Sequence, residues 1–190
     1  SGRLTTGSNN TALGDNALGA NTTASDNTAV GADALITNST GASNVAVGKD
    51  TLELNTTASN NTAVGMAAMQ ANTTGASNVA VGTFALDANT TGAENTAIGY
   101  ASLSTNTTAG ENTAVGQNAL LLNTTGASNT SLGKSSLASN TTASNNTAIG
   151  KSALGANTTG TRNVGVGANA GVAITTGSYN VAVGTFAGDA

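Results

Sequence analysis

Aliphatic and polar residues alternate along the chain in one block that recurs without a break. Asn followed by Thr or Val, a small residue, an aliphatic and Gly begins at Asn10, Asn27, Asn44, Asn61, Asn78, Asn95, Asn112, Asn129, Asn146, Asn163 and Asn180, always 17 residues apart. A period that tolerates no insertion is what stacked coils demand, since each coil must lie in register on the last. Counting each unit from its Asn as position zero gives N-[TV]-A-[VIL]-G-x-x-A-L-x-x-N-T-T-[GA]-x-x. Residues 1–190 therefore read as a single repeat domain of eleven 17-residue units, an all-β parallel β-solenoid or β-roll.

Each position has its own expected role. Positions one to three alternate Thr or Val, Ala, then Val, Ile or Leu, which is the period-two pattern of a short strand with its β-branched residues on one face. Gly at position four, Gly14 through Gly184, suits a positive φ or a corner where neighbouring backbones come close. Position eight carries Leu or Met in nine units, Leu18 through Leu154 with Met69 among them, and is the expected plug of the core. The Asn-Thr-Thr stretch, as in Asn72-Thr73-Thr74, is expected to form a second strand. A helix over Ala-Leu is excluded by length, because isolated helices below about 12 residues are marginal. With like residues roughly 4.8 Å apart, the stack makes a rod on the order of 50 Å long. Asn at position zero and Asn at position eleven, Asn21 to Asn157, should form amide ladders.

Position two suggests an oligomer. It lies on the opposite face of the strand from positions one and three, yet it is Ala except at Ser131 and Gly165. The outward face of a lone strand in water should be polar and variable, so the small residues are expected to meet a second chain, and the expected assembly is a homotrimer.

Composition narrows the function classes. With two Phe, two Tyr and no Trp, the core must come from small aliphatics repeated many times. Net charge is -4 from nine acids and five bases, which leaves no basic stripe for a nucleic-acid backbone. No run of about 18 apolar residues is present to insert in a bilayer. Absence of Cys and His removes disulfides, thiolate chemistry and the usual soft metal ligands. Ser1-Gly2-Arg3-Leu4 lacks the order of a signal peptide.

Paired carboxylates are the one catalytic arrangement the composition allows. Glu94 and Glu111 share position sixteen in successive coils, about 5 Å apart if stacked, near the spacing of retaining glycosidases. Asp33 and Asp50 share position six, with Lys49 beside them. Without a cleft or aromatic sugar platforms these read as solvated surface rungs, so no catalytic, cofactor or metal residue is assigned and the chain is not expected to be an enzyme. Gly48-Lys49, Gly133-Lys134 and Gly150-Lys151 lack the remaining glycine of a phosphate loop. Phe84, Tyr100, Tyr179 and Phe186 are too sparse for a glycan platform. The nine Asn-x-Thr matches of the position-eleven column reflect structural recurrence better than glycosylation. Thr ladders at positions twelve and thirteen offer ice binding as a second function class.

The unit spanning Gly65 to Gly82, and again Gly82 to Gly99, resembles the repeats that precede the endosialidase-type intramolecular chaperone in phage tail fibres and bacterial surface proteins. It is also similar to the shorter units of β-roll heads in trimeric autotransporter adhesins. The run from Gly167 to Gly177, with Gly171 in place of Leu, looks like a variant found in such fibres. This resemblance implies a trimeric, extracellular shaft on a virion tail or bacterial surface that positions or provides binding to a host receptor or cell-surface glycan.

Overall fold

Residues 6–189 are described by the structure, a computed structural model. Each unit forms one three-residue strand: β1 (Thr11–Leu13), β2 (Thr28–Val30), β3 (Val45–Val47), β4 (Thr62–Val64), β5 (Val79–Val81), β6 (Thr96–Ile98), β7 (Thr113–Val115), β8 (Thr130–Leu132), β9 (Thr147–Ile149), β10 (Val164–Val166) and β11 (Val181–Val183). They make one parallel sheet in sequence order, and each residue pairs with its counterpart one unit on, as in Ala97 with Ala114. No helix occurs among the described residues. The β-solenoid read from the period is the observed architecture.

Stacking is not confined to the strands. Leu86 N–H donates to the Ser102 carbonyl at 3.0 Å, Phe84 N–H to Met66 and Glu94 N–H to Ala76, both at 3.1 Å. Backbone hydrogen bonds thus join neighbouring coils around the whole circumference, which satisfies buried amides without a second sheet.

Asn-Thr-Thr does not form the expected second strand. Thr73 and Thr74 both donate to the single carbonyl of Thr90, at 2.9 and 3.1 Å, so two donors share one acceptor where a ladder would alternate. The hydroxyl of Thr73 adds a third bond to that carbonyl at 3.0 Å. The coil closes instead through three left-handed residues per unit, at positions six, eight and sixteen, for example Phe84 (φ 57), Leu86 (φ 54) and Glu94 (φ 61).

The sidedness of the strand is the reverse of what β-branching suggested. Ala29, Ala46, Ala63, Ala80, Ala97 and Ala114 are 0% exposed and lie inside the coil with the position-eight Leu residues, while positions one and three face outward. The Ala column therefore meets no second chain. Its smallness has an internal cause: the Ala side chains lie against the position-eight plugs, and at Gly165 even an added Cβ would come within 2.8 Å of Cγ of Leu154, closer than carbon atoms pack. Large residues from one wall fill the space left by small ones on the other.

Position eight balances two opposing terms. A left-handed backbone costs a non-glycine residue roughly 1–2 kcal/mol, whereas truncating a buried Leu to Ala costs about 2.7–5 kcal/mol. Burial wins in nine coils. In the tenth, Gly171 (φ 61) replaces the Leu. There Ile174 occupies the position-eleven site of the Asn ladder and packs against the core, its Cδ1 3.0 Å from where a Gly171 Cβ would be. That exchange leaves Oδ1 of Asn157, the last rung, buried without a partner. Gly171→Leu alone is expected to overpack against Leu154 and Ile174 and lower stability by about 1–3 kcal/mol. Combined with Ile174→Asn it should recover to at least the wild-type value, because the new amide supplies the missing donor. Urea midpoints of both singles and the double test this coupling.

Candidate functional site

Buried positions are taken up by structure. Asn at position zero receives the N–H of the next Asn on its side-chain oxygen, as Asn112 N–H donates to Asn95 at 3.1 Å, while its own amide reaches a carbonyl across the coil. The position-eleven ladder runs by amide-to-amide bonds such as Asn89 Nδ2 to Asn72 Oδ1 at 2.9 Å. All nine Asn residues of that ladder are buried, so the glycosylation pattern they carry is closed to modification in the folded chain.

Function must then lie outward. Glu94 and Glu111 are exposed, left-handed and bonded through their backbones to the preceding coil. The side chain of Glu111 accepts from Ser128 Oγ at 2.9 Å, pointing along the rod to the coil beyond. Asp33 accepts from Asn16 Nδ2 at 3.0 Å, and Asp50 pairs with Lys49 at 2.8 Å, which raises the Lys49 pKa above its usual value. The described surface has no pocket, and no group of three metal-ligating side chains comes together among the described residues. A retaining glycosidase needs its two carboxyls across a sugar-binding cleft; these are exposed on the outer wall of the coil.

Position nine, one of the variable columns, carries a polar row. Gln70 donates to Glu53 and Ser104 Oγ to Asp87, each at 2.6 Å. Burial raises the Asp87 pKa, partly offset by the Ser104 bond. A carboxyl whose folded pKa is raised weakens the fold as pH climbs from its unfolded value near 3.8 through the folded one, because the unfolded chain ionises first. Asp87→Asn, which keeps an acceptor for Ser104, is expected to raise the urea midpoint at pH 7 and leave it unchanged near pH 3.

Two of the sparse aromatics meet. Phe84 and Tyr100 pack edge to face, ring centroids 6.2 Å apart at 81°, and Arg162 lies 5.4 Å over the Tyr179 ring while donating to its hydroxyl. The signal was available: residues 16 or 17 apart are neighbours in adjacent coils.

The two Thr ladders have different surroundings. Position-thirteen hydroxyls, such as Thr74 and Thr91, are fully outward, whereas position-twelve hydroxyls are tied to the next coil's carbonyl, as Thr90 is to Thr107 at 3.0 Å. The strand face carries two parallel outward ranks, at positions one and three. Seven of the eleven residues in the first rank are Thr, and every residue in the second is Val, Ile or Leu. No charged residue falls in either rank. Ile98, Leu132 and Ile149 are 39%, 46% and 37% exposed there.

No family model matches the chain, and neither a curated protein nor a solved structure shows significant similarity to it.

Proposed function

We propose that this chain is a structural rod segment of an extracellular fibre, of the phage tail fibre or bacterial adhesin kind, that positions or provides binding to a host receptor. The observation that supports it most is hydrogen bonding between coils around the full circumference, reinforced by two buried Asn ladders. Such a stack transmits load along its axis and exposes no open coil between its ends. Its function is mechanical, with no catalytic step and no cofactor, and its working form is a homotrimer.

If the segment also adheres, the corner formed by Phe84, Tyr100 and Met66 is where a cell-surface glycan would find apolar surface, since Tyr100 and Met66 are 53% and 44% exposed on the turns that flank the Phe84 turn. A glycan-binding screen with the intact chain and with Tyr100→Ala separates adhesin from spacer.

Ice binding is favoured by one feature, the two parallel outward ranks of the strand face, though hydroxyls occupy only part of one of them. The fibre reading expects a protease-resistant oligomeric rod with no thermal hysteresis. A protease-labile monomer, or a protein that arrests ice growth, would overturn it.

A further inference from the structure

We infer that the outward face of β1 to β11 is where copies of this chain meet, and that they meet parallel, side by side, with the acidic margin of one face against the basic margin of the next. This rests on the oligomeric fibre reading and names its surface, which is the opposite side of the strand from the Ala column.

Size comes first. Eleven rungs by three residues cover about 50 by 10 Å, on the order of 500 Å² per copy. That is near the upper end of the apolar patches typical monomers expose, and two such faces together reach roughly the 1,000 Å² at which specific interfaces begin. The face is one continuous strip because every strand is three residues long and in register with its neighbours.

Composition fits an interface core. Twenty-two positions hold only Thr, Val, Ile and Leu, whereas the variable positions elsewhere on the coil hold all the charges. Depletion of charge at the centre with charge at the rim is how protein interfaces are arranged.

Polarity comes from the two rims. Position sixteen borders the face on the entry side of each strand and carries Asp26, Glu94 and Glu111, with Arg162 as the one base. Position five borders it on the exit side and carries Lys49, Lys134 and Lys151, with Asp15 as the one acid. Arg162 is engaged by Tyr179, and Lys49 by Asp50. When two copies are related by an axis along the rod, the entry rim of one faces the exit rim of the next. Glu111, beside β7, then comes within one rung of Lys134, beside β8. Asp26 and Lys49 stand in the same relation, beside β2 and β3; Asp26 with Asp15 and Arg162 with Lys151 are like-charged at the same spacing, so the preference rests on the net charge of each rim, -2 on the entry side (three acids, one base) and +2 on the exit side (three bases, one acid). Antiparallel copies related by an axis across the rods would bring acidic rim to acidic rim. Rim charges of this kind choose orientation more than they add affinity.

The occupant is therefore a further copy of the same chain, and sedimentation equilibrium of the intact protein tests it. Wild type is expected to sediment as an oligomer. Val115→Asp, at the centre of the face, should weaken association by at least about 100-fold, since each copy would bury an unpaired charge, while the circular dichroism of the solenoid is unchanged because Val115 points outward. Glu111→Lys and Lys134→Glu should each weaken it, and together restore it. A wild-type oligomer that Val115→Asp leaves intact would overturn the surface assignment and spare the oligomeric reading. Unchanged association in both rim singles would overturn the parallel arrangement. A wild-type monomer would overturn both readings.

Discussion

Gly99→Ala is expected to lower the stability of the rod by more than about 3 kcal/mol, read as a fall in urea midpoint. Gly99 has φ +131, outside the region an L side chain adopts readily, and that alone costs on the order of 1–3 kcal/mol. A methyl group there would also lie 2.7 Å from both the carbonyl carbon and the oxygen of Gly116 in the next coil. Those are backbone atoms of a stacked neighbour and cannot turn aside. Relief requires the coils to part, which strains the 2.7 Å bond from Gly116 N–H to Ile98 and the strand pairing beside it. Gly184→Ala separates the two causes. Gly184 has φ +122, but an added Cβ would meet only Ala187 Cβ, at 3.8 Å. It should cost the conformational part alone, about 1–3 kcal/mol. Equal losses at the two sites would show that contact between coils contributes nothing.

Much of this fold was legible because one signal dominates it. A 17-residue period without insertion fixes parallel stacking and register, and from register follow the Asn ladders, the Gly corner and the Leu plug. What the period does not say is which side of a three-residue strand faces inward. Alternation shows only that Val79 and Val81 share a side and that Ala80 has the other. β-Branched residues favour strands wherever a pleated surface is half covered, so their presence at positions one and three carried no sidedness. Volume carried it instead. Position eight is Leu in coil after coil, and a wall facing Leu across one narrow coil can afford nothing larger than Ala.

The Asn-Thr-Thr segment departs from the strand its composition predicts for a related reason. β-Propensity of Thr argues for extended backbone, but left-handed residues on either side, such as Met69 (φ 52) and Ser77 (φ 61), turn the chain before a ladder can form. Leu at a left-handed position has no sequence signature, since Leu avoids that region unless burial compensates. The outward surface was the least legible part. Charge and aromatic content placed Glu94, Glu111 and Phe84 on it, and the period makes Phe84 and Tyr100 neighbours in adjacent coils, but the edge-to-face packing and the bond of Ser104 to Asp87 depend on side-chain rotamers that no period specifies.

The Asn ladder yields the other large effect. Asn112→Ala, in the middle of the stack, is expected to cost about 4 kcal/mol, although it removes no apolar surface. Its Oδ1 accepts from the backbone N–H of Asn129 at 3.0 Å and from that residue's side-chain amide at 3.2 Å. Its Nδ2 donates to Asn95 Oδ1 at 3.3 Å, Gly110 at 3.2 Å and Gly126 at 3.0 Å. Not every partner is orphaned by the substitution. Gly126 keeps the amide of Asn123 at 2.9 Å, and Asn95 Oδ1 keeps the backbone N–H of Asn112. The N–H of Asn129 keeps nothing, and an unsatisfied buried donor costs about 1–3 kcal/mol. The side-chain bonds, at about 1 kcal/mol each, and the vacated volume make up the rest. Asn112→Leu distinguishes polarity from volume, because it refills the space and leaves the same donor unpaired. It should be no more stable than Asn112→Ala. Thr142→Ala, at an exposed position in a later coil, should change the midpoint little. Since each coil contacts only its neighbours, a broken rung at Asn112 should also divide the cooperative unit, so the single urea transition of the wild type becomes two. A single transition with a midpoint within error of wild type would show that the ladders are not what couples one coil to the next.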